Sequence, residues 1–194
     1  MYRPTLSNAA RPATFIVDAL NESGASEPIS IAGEHPLTLY VDKREIVTLM
    51  TLGAAPEALA IGYLRNQRLV KSIEEIVSVQ VDWEVNAVAI TTKNGIADLS
   101  KKMEKRTVTT GCGQGTVFGD LMVEIDSIKL RDDVQLKEET FFALLNAVRI
   151  HDTVYKQAGA VHGCALFDGS SLLYFDGDDK LFYTAGRLTA EMGI

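Results

Sequence analysis

The chain has 194 residues, 46% hydrophobic and 23% charged, a composition that suits one medium or two small globular domains. The formal net charge of −7 argues against general nucleic-acid binding, because that function requires a dense basic face. Two cysteines are too few for a disulfide framework, and neither a paired zinc-binding spacing nor an uninterrupted membrane span is present. We therefore expect a cytoplasmic protein that carries free thiols, binds no metal of its own and does not enter a membrane.

The N-terminal part of the chain is predicted to be rich in β-structure. The first 30 residues, rich in Pro, Ser, Asn and Ala, contain one short β-like run at residues 14–17 and are expected to form an arm. Residues 37–52 hold two apolar runs around the polar pair Asp42 and Lys43, which is typical of a β-hairpin. Further predicted elements are a helix from Pro56, a short helix from Ser72, and strands at residues 77–81 and 87–91.

The C-terminal half alternates between strands and helices. A β-branched run at residues 107–110 leads into a glycine-rich segment, and residues 137–157 carry the longest helical pattern, with most apolar side chains on one face. The remaining predicted elements are strands at residues 160–167, 171–175 and 181–184, a polar turn at residues 175–180, and a helix at residues 186–192.

The order of these elements predicts an α/β protein with a layered core and a smaller N-terminal β-rich part. The domain organisation that we derive is an N-terminal arm (residues 1–30), a β-rich and helical subdomain (residues 31–106) and an α/β core (residues 107–194).

The sharpest chemical feature is a cysteine framed by glycines, in the sequence TGCGQG at residues 110–115. Glycines let backbone amides approach Cys112, and these amides, together with Lys105 and Arg106 just upstream, favour the thiolate. A thiolate is the nucleophile that accepts sulfane sulfur as a persulfide. The alternative is a tight turn in which a small cysteine only packs, and the residue types alone leave both interpretations open.

A second candidate site contains His162 and Cys164, two residues apart in a predicted strand, so that both side chains point to the same face. Such a pair suits a metal site or a nucleophile with its base. Zinc needs two more ligands, however, and only His35 and His151 remain to offer imidazole. We therefore favour the role of a small core residue for Cys164. For His162, which is close to glycines, a core position and a position at the edge of a cleft are about equally consistent with the sequence.

A third candidate consists of Gly186 and Arg187, where a predicted strand runs into a helix start. Backbone amides at a helix start bind phosphate, and a guanidinium pairs with phosphate through two hydrogen bonds. The pattern is common in α/β crossovers and is weak alone. The basic cluster at residues 101–106 is more typical of a solvated surface than of a docking site for an acidic partner.

Four segments of the chain together resemble the FdhD/NarQ family of formate dehydrogenase accessory sulfurtransferases. They are EHPLTLYVDKREIVTLMTLGAAPEALAIGYLRNQRLV at residues 34–70, TTGCGQGT at residues 109–116, GAVHGCALFDG at residues 159–169 and LFYTAGRLTAEM at residues 181–192. The first segment and the TGCG motif are specific, whereas the other two are weak alone.

The resemblance implies a sulfur carrier that receives sulfur from a cysteine desulfurase and passes it to the molybdenum cofactor, in its guanine dinucleotide form, for insertion into apo-formate dehydrogenase. It also implies a homodimer and a zinc-free, cytidine-deaminase-like three-layer core. The sulfur-carrying cysteine of the family falls on Cys112. We assign cofactor binding to the other candidate positions, which are Gly111, Gly113, His162, Gly186 and Arg187.

The sequence departs from the family pattern in two ways. Some members carry CxxC, which would place a second cysteine at position 115, where this chain has Gly115. Cys112 is therefore expected to act alone or with a thiol from elsewhere. The family also has further chain after the positions of residue 175 and Met192, so we expect the C-terminal portion to be incomplete.

Two other functions stay open at this point. One is a non-catalytic chaperone that binds the molybdenum cofactor and apo-formate dehydrogenase, with Cys112 incidental. The other is a zinc-free relative of nucleoside deaminases that binds nucleotides. A gain of one sulfur on Cys112 separates the carrier from both.

Overall fold

A computed structural model of the protein describes residues 3–104, 106–108, 116–118, 128–129, 133, 135–151 and 154–178. Strands and helices are mixed along this part of the chain, which confirms the predicted α/β class. The strands are β1 (Thr5–Leu6), β2 (Thr14–Leu20), β3 (Ser26–Ala32), β4 (His35–Val41), β5 (Arg44–Thr51), β6 (Ile76–Asp82), β7 (Ala87–Thr92), β8 (Arg106–Val108), β9 (Thr116–Phe118), β10 (His162–Asp168) and β11 (Ser171–Asp178). The helices are α1 (Pro56–Asn66), α2 (Leu99–Glu104), α3 (Glu138–His151) and α4 (Val154–Ala158), with a 3₁₀ helix at Ile73–Glu75.

The main hydrophobic cluster of the described residues joins α1 to a five-stranded sheet of order β1-β6-β7-β4-β5. The sheet is mixed, because β4 pairs antiparallel with β5 and parallel with β7. Leu37, Leu39 and Val41 are fully buried, whereas the residues between them are only partly covered. Since successive strand side chains point to opposite faces, this alternation shows that one face of β4 belongs to the core. The helix predicted from Pro56 is confirmed as α1, and the predicted strands at residues 77–81 and 87–91 are confirmed as β6 and β7.

The β4–β5 hairpin confirms the prediction for residues 37–52. Its two-residue turn consists of Asp42 and Lys43, both with positive φ (48° and 70°), as a type I′ turn requires. The Asp42 carboxylate accepts hydrogen bonds from the backbone N–H of Thr92 (2.9 Å) and from the hydroxyl of the same residue (2.6 Å). The turn is thereby attached to the end of β7.

The N-terminal 30 residues contain more β-structure than the predicted run at residues 14–17. β1 extends the central sheet by parallel pairing with β6, and the seven residues of β2 form an antiparallel ribbon with β3. β3 crosses the domain boundary placed after residue 30. The division of the chain into domains stays a prediction.

A buried carboxylate ties the N-terminal segment to the core. Glu57, at the start of α1, is 6% exposed, and its Oε1 accepts hydrogen bonds from the Ser7 hydroxyl (2.6 Å) and the Ala9 N–H (2.8 Å). The Ser7 oxygen in turn accepts a hydrogen bond from the N–H of Val81 in β6 (2.9 Å). The indole N–H of Trp83 donates to the Ala9 carbonyl (2.6 Å). These bonds hold the segment after β1 against both α1 and the sheet.

The predicted strands at residues 160–167 and 171–175 are present as β10 and β11, which pair antiparallel. β11 is longer than predicted: residues 176–178, expected in a polar turn, instead continue the strand opposite residues 162–164. The turn prediction is wrong there because pairing with β10 satisfies the backbone polar groups of these residues. The long helical pattern at residues 137–157 is present as α3 and α4. The strand and helix predicted after residue 180 lie outside the described residues.

The predicted apolar face of α3 is only partly covered. Phe141 and Leu145, two residues of that face, keep 45% and 49% of their surface exposed. Neither α3 nor any other helix in the described part of the chain is long and apolar enough to span a membrane.

Replacing Glu57 with alanine should lower the free energy of unfolding by about 2–3 kcal/mol, because the donors of Ser7 and Ala9 lose a buried charged acceptor. Glu22→Ala, at an exposed position between β2 and β3, should change it by less than about 0.5 kcal/mol. Urea unfolding followed by the fluorescence of Trp83, the sole tryptophan, measures both values. Equal stability of the two variants would contradict the proposed role of Glu57 in holding the segment after β1 against α1.

Candidate functional site

A surface pocket of about 570 Å³ opens between α3, α4 and the beginning of β10. A volume of this size lies in the range of sites for small ligands. The apolar wall consists of Leu145, Val148 and Val161, and the polar lining includes Arg149, Tyr155, Lys156 and His162.

His162 reaches the pocket because the chain turns sharply after α4. Gly159 and Ala160 both adopt positive φ (62° and 56°), and the Gly159 N–H donates to the Tyr155 carbonyl (2.9 Å). This left-handed turn ends the helix and satisfies one of its terminal carbonyls. β10 begins immediately afterwards, so the exposed His162 lies next to the residues of α3 and α4 that line the pocket.

Two cations come to the pocket from the end of α3 and from α4. Arg149 belongs to the last turn of α3, and the Nζ of Lys156 donates a hydrogen bond to the Ile150 carbonyl (2.9 Å) in the same turn. Carbonyls in the last turn of a helix lack helical partners and carry partial negative charge, so cations are stabilised there. The helix end thus positions an ammonium group beside the pocket.

Among the residues predicted for the site, the structure places His162 in this pocket. Arg149, Tyr155 and Lys156 were missed, because their sequence signal is only that of charged and aromatic residues late in a helical pattern. The assignments of five other residues stay predictions, because Gly111, Cys112, Gly113, Gly186 and Arg187 lie outside the described residues.

Cys164 lies in β10 directly opposite Asp176 of β11. The cysteine is partly buried, and Asp176 is 7% exposed. Burial and, after it, the negative charge of Asp176 raise the pKa of the Cys164 thiol, whereas a hydrogen bond with the backbone of Ala165 opposes this shift. The thiol is therefore protonated at neutral pH, which disfavours nucleophilic chemistry and agrees with the role of a packing residue.

The other two histidines pack against aromatic rings. The ring centre of His151 lies 4.9 Å from that of Phe175, and the ring centre of His35 lies 5.7 Å from that of Trp83. Within the described ranges, no group of three or more His, Cys, Asp or Glu side chains could hold a metal ion. The expectation that the protein binds no zinc stays a prediction.

The described residues define an α/β protein with a ligand-sized pocket that has basic side chains in its lining. Residues 32–178 match the model of the FdhD/NarQ family. The chain belongs to this family, which confirms the resemblance inferred from its sequence motifs.

Curated relatives carry the name sulfur carrier protein FdhD. One from Listeria monocytogenes is 27% identical over 158 residues, which cover 79% of this chain and 60% of the relative. One from Shouchella clausii is 28% identical over 173 residues, covering 81% of this chain and 64% of the relative. The chain thus spans only about 60% of the length of these relatives. A crystal structure of a protein from Desulfotalea psychrophila, described as a formate dehydrogenase accessory protein, supports the fold with a TM-score of 0.67 at 16% identity, over 93% of this chain and 68% of that one.

Alkylation of Cys164 in a Cys112→Ser variant should show a pH midpoint above that of an unperturbed thiol, because the pKa of Cys164 is raised. Asp176→Asn should move the midpoint to lower pH, since a negative charge that disfavours the thiolate is removed. Asp168→Asn, at the turn end of the same hairpin, serves as the control and should leave it unchanged. Iodoacetamide labelling rates followed by mass spectrometry give the midpoints. A midpoint equal to that of the urea-unfolded chain would show that the folded environment has no such effect.

Proposed function

We propose that the protein is a sulfur carrier for the maturation of formate dehydrogenase, and that it accepts sulfur from a cysteine desulfurase as a persulfide on Cys112. The observation that carries this proposal is membership of the FdhD/NarQ family, over a match that includes residue 112. The names of the curated relatives support the same role.

The contrast between the two cysteines supports Cys112 as the carrier. Sulfur transfer needs a thiolate, and the pKa of Cys164 is raised by burial and by the charge of Asp176. Cys112 instead stands between Gly111 and Gly113, in a sequence context that favours the thiolate. Cys112 is therefore the better nucleophile of the two.

The proposed transfer begins when the Cys112 thiolate attacks the terminal sulfur of a persulfide on the desulfurase. A new S–S bond forms on Cys112 while the old one breaks, and the desulfurase cysteine leaves as a thiolate. The carried sulfur is at the sulfane oxidation level, so its release to molybdenum as sulfide takes two electrons. A thiol from elsewhere supplies them by forming a disulfide with Cys112, since position 115 holds glycine.

The molybdenum cofactor, in its guanine dinucleotide form, is the proposed substrate that receives the sulfur. The ligand-sized pocket beside His162 supports a binding role for this residue. We propose the same role for the remaining candidate positions, which are Gly111, Gly113, Gly186 and Arg187.

The assembly in which the carrier works is also a proposal. We propose that the protein is a cytoplasmic homodimer that delivers the sulfurated cofactor to apo-formate dehydrogenase. For residues 107–194 we propose zinc-free, cytidine-deaminase-like layering. The mixed α/β fold of the described residues is compatible with this layering.

The alternative is a chaperone that binds the cofactor and the apo-enzyme without carrying sulfur. The observation that favours it is the pocket itself, because the described residues that line it do not include a cysteine. Ligand binding at this pocket could therefore proceed without a covalent step.

After incubation with a cysteine desulfurase and free cysteine, the peptide that contains Cys112 should gain the mass of one sulfur atom, about 32 Da. Cys112→Ser should abolish sulfur transfer to the cofactor, whereas Cys164→Ser, the matched control, should retain it because that thiol is protonated. Mass spectrometry of both variants provides the measurement. Undiminished sulfur transfer by the Cys112→Ser protein would contradict the carrier role and favour the chaperone.

A further inference from the structure

Asn94 is followed by Gly95 in the segment that joins β7 to α2. The backbone nitrogen of the residue after an asparagine can attack the side-chain amide carbon, and glycine obstructs this attack least because it has no Cβ. Both residues lie outside helices and strands, and both are exposed. We propose that Asn94 is a site of spontaneous covalent modification, at which the amide is converted to aspartate and isoaspartate. The reaction requires no sulfur transfer, so it is independent of the proposed function.

The structure leaves room for this attack. Gly95 has a φ of 71°, in the left-handed region, and a Cβ placed on it would meet no heavy atom within 4 Å beyond its immediate neighbours in the chain. The Asn94 side chain can therefore turn towards the Gly95 nitrogen without displacing other parts of the protein. Asn86 differs, because the next residue, Ala87, is the first of β7 and pairs with Asp82 of β6. Strand pairing and a Cβ both hinder the attack there.

The reaction needs neither an oxidant nor a reductant. The Gly95 nitrogen loses its proton and bonds to Cγ of Asn94, while the bond from Cγ to the amide nitrogen breaks and ammonia leaves with the proton. The product is a succinimide ring. Water then opens the ring at either carbonyl, which gives aspartate or isoaspartate. Overall, water is consumed and ammonia is released.

Isoaspartate also changes the backbone, in a segment that is held on both sides. The N–H of Lys93 donates to the Glu75 carbonyl (2.8 Å), and Ile96 packs against the main hydrophobic cluster. Isoaspartate routes the chain through the side-chain carbon, so it adds a methylene between these two points. The extra length falls on Asn94 and Gly95, which are exposed, and we expect the modified protein to stay folded.

Both products change the charge beside a surface pocket of about 440 Å³. Gly95 lines this pocket, and the described lining contains two acidic side chains, Asp42 and Asp98, and two basic ones, Arg44 and Lys101. A carboxylate at position 94 adds a negative charge next to a lining whose charges otherwise balance. The modified protein is therefore a more acidic form, which ion exchange separates from the original.

The test is incubation of the full chain at neutral pH, followed by digestion with a glutamate-specific protease and mass spectrometry. Cleavage after Glu84 and Glu104 gives a peptide that contains both Asn86 and Asn94, so Asn86 serves as an internal control. Asn94 should be converted at least about tenfold faster than Asn86, because only Asn94 is followed by glycine. Chromatography of the peptide should resolve the aspartate and isoaspartate products.

Three variants make the outcome specific. Gly95→Ala should slow the conversion of Asn94 about tenfold or more, because the added Cβ obstructs the attack. Gly24→Ala is the matched control: Gly24 also has a positive φ (78°) and open surroundings, but it lies between β2 and β3, so the rate should not change. Asn94→Ala should lose the acidic form that accumulates first.

The contribution of the fold is tested by the same measurement on unfolded protein. The folded chain should convert Asn94 within about threefold of the rate of the guanidinium-unfolded chain, because both residues are exposed in the fold. Equal rates at Asn86 and Asn94 would overturn the proposal, as would an unaltered rate in Gly95→Ala or an equal slowing in Gly24→Ala. A folded chain in which Asn94 reacts far more slowly than in the unfolded chain would also overturn it.

Discussion

The arrangement of the N-terminal half depends on the carboxylate of Glu57. A buried charge is costly unless it is hydrogen-bonded, and Glu57 receives its hydrogen bonds from Ser7 and Ala9, which follow directly after β1. The chain is thereby drawn across the beginning of α1. Further along, the guanidinium of Arg11 lies 4.6 Å from the centre of the Trp83 ring, a distance at which a cation is attracted to an aromatic face. Glu57 and Trp83 together thus set the path of the chain between β1 and β2.

This path determines where the chain leaves the five-stranded sheet to form the separate β2–β3 ribbon. A two-stranded ribbon is marginally stable by itself, and this one packs against α4. At its base, the Gly33 N–H donates to the Ala13 carbonyl (2.8 Å) and closes the ribbon. α4 carries Tyr155 and Lys156, so the N-terminal ribbon supports one side of the pocket although the described lining includes none of its residues. The hydrogen bonds of Glu57 near the start of the chain and the pocket near its end are therefore connected through the β2–β3 ribbon and α4.

Sequence patterns predicted the elements whose formation is decided by near neighbours in the chain. The β4–β5 hairpin follows from its polar two-residue turn, and the start of α1 follows from Pro56, because turn and cap preferences are local. The β2–β3 ribbon also has a polar turn, in which the Asn21 side chain accepts hydrogen bonds from the N–H groups of Ser23 and Ala25, but its strand pattern is weaker. Ile16 in β2 is apolar but 74% exposed, and Pro28 lies within β3, so neither strand shows the alternation of a half-buried sheet. Pairing and packing against a distant helix decide its structure, and those are not visible in a single sequence.

The residues of the site likewise differ in whether neighbours in the sequence or contacts distant in the sequence determine their environment. The glycines around His162 made it a candidate from the sequence alone. Arg149 and Lys156 show only the sequence pattern of solvated helix cations, and it is the turn after α4 that places His162 beside them. For Cys164, residue type favoured a packing role, and the structure adds that burial and, after it, the charge of Asp176 on the opposite strand raise the pKa of the thiol. Asp176 lies beside it only because β10 and β11 pair in one register, and a shift by one residue would place Asp176 on the other face. The raised pKa of the Cys164 thiol therefore depends in part on strand register as well as on burial.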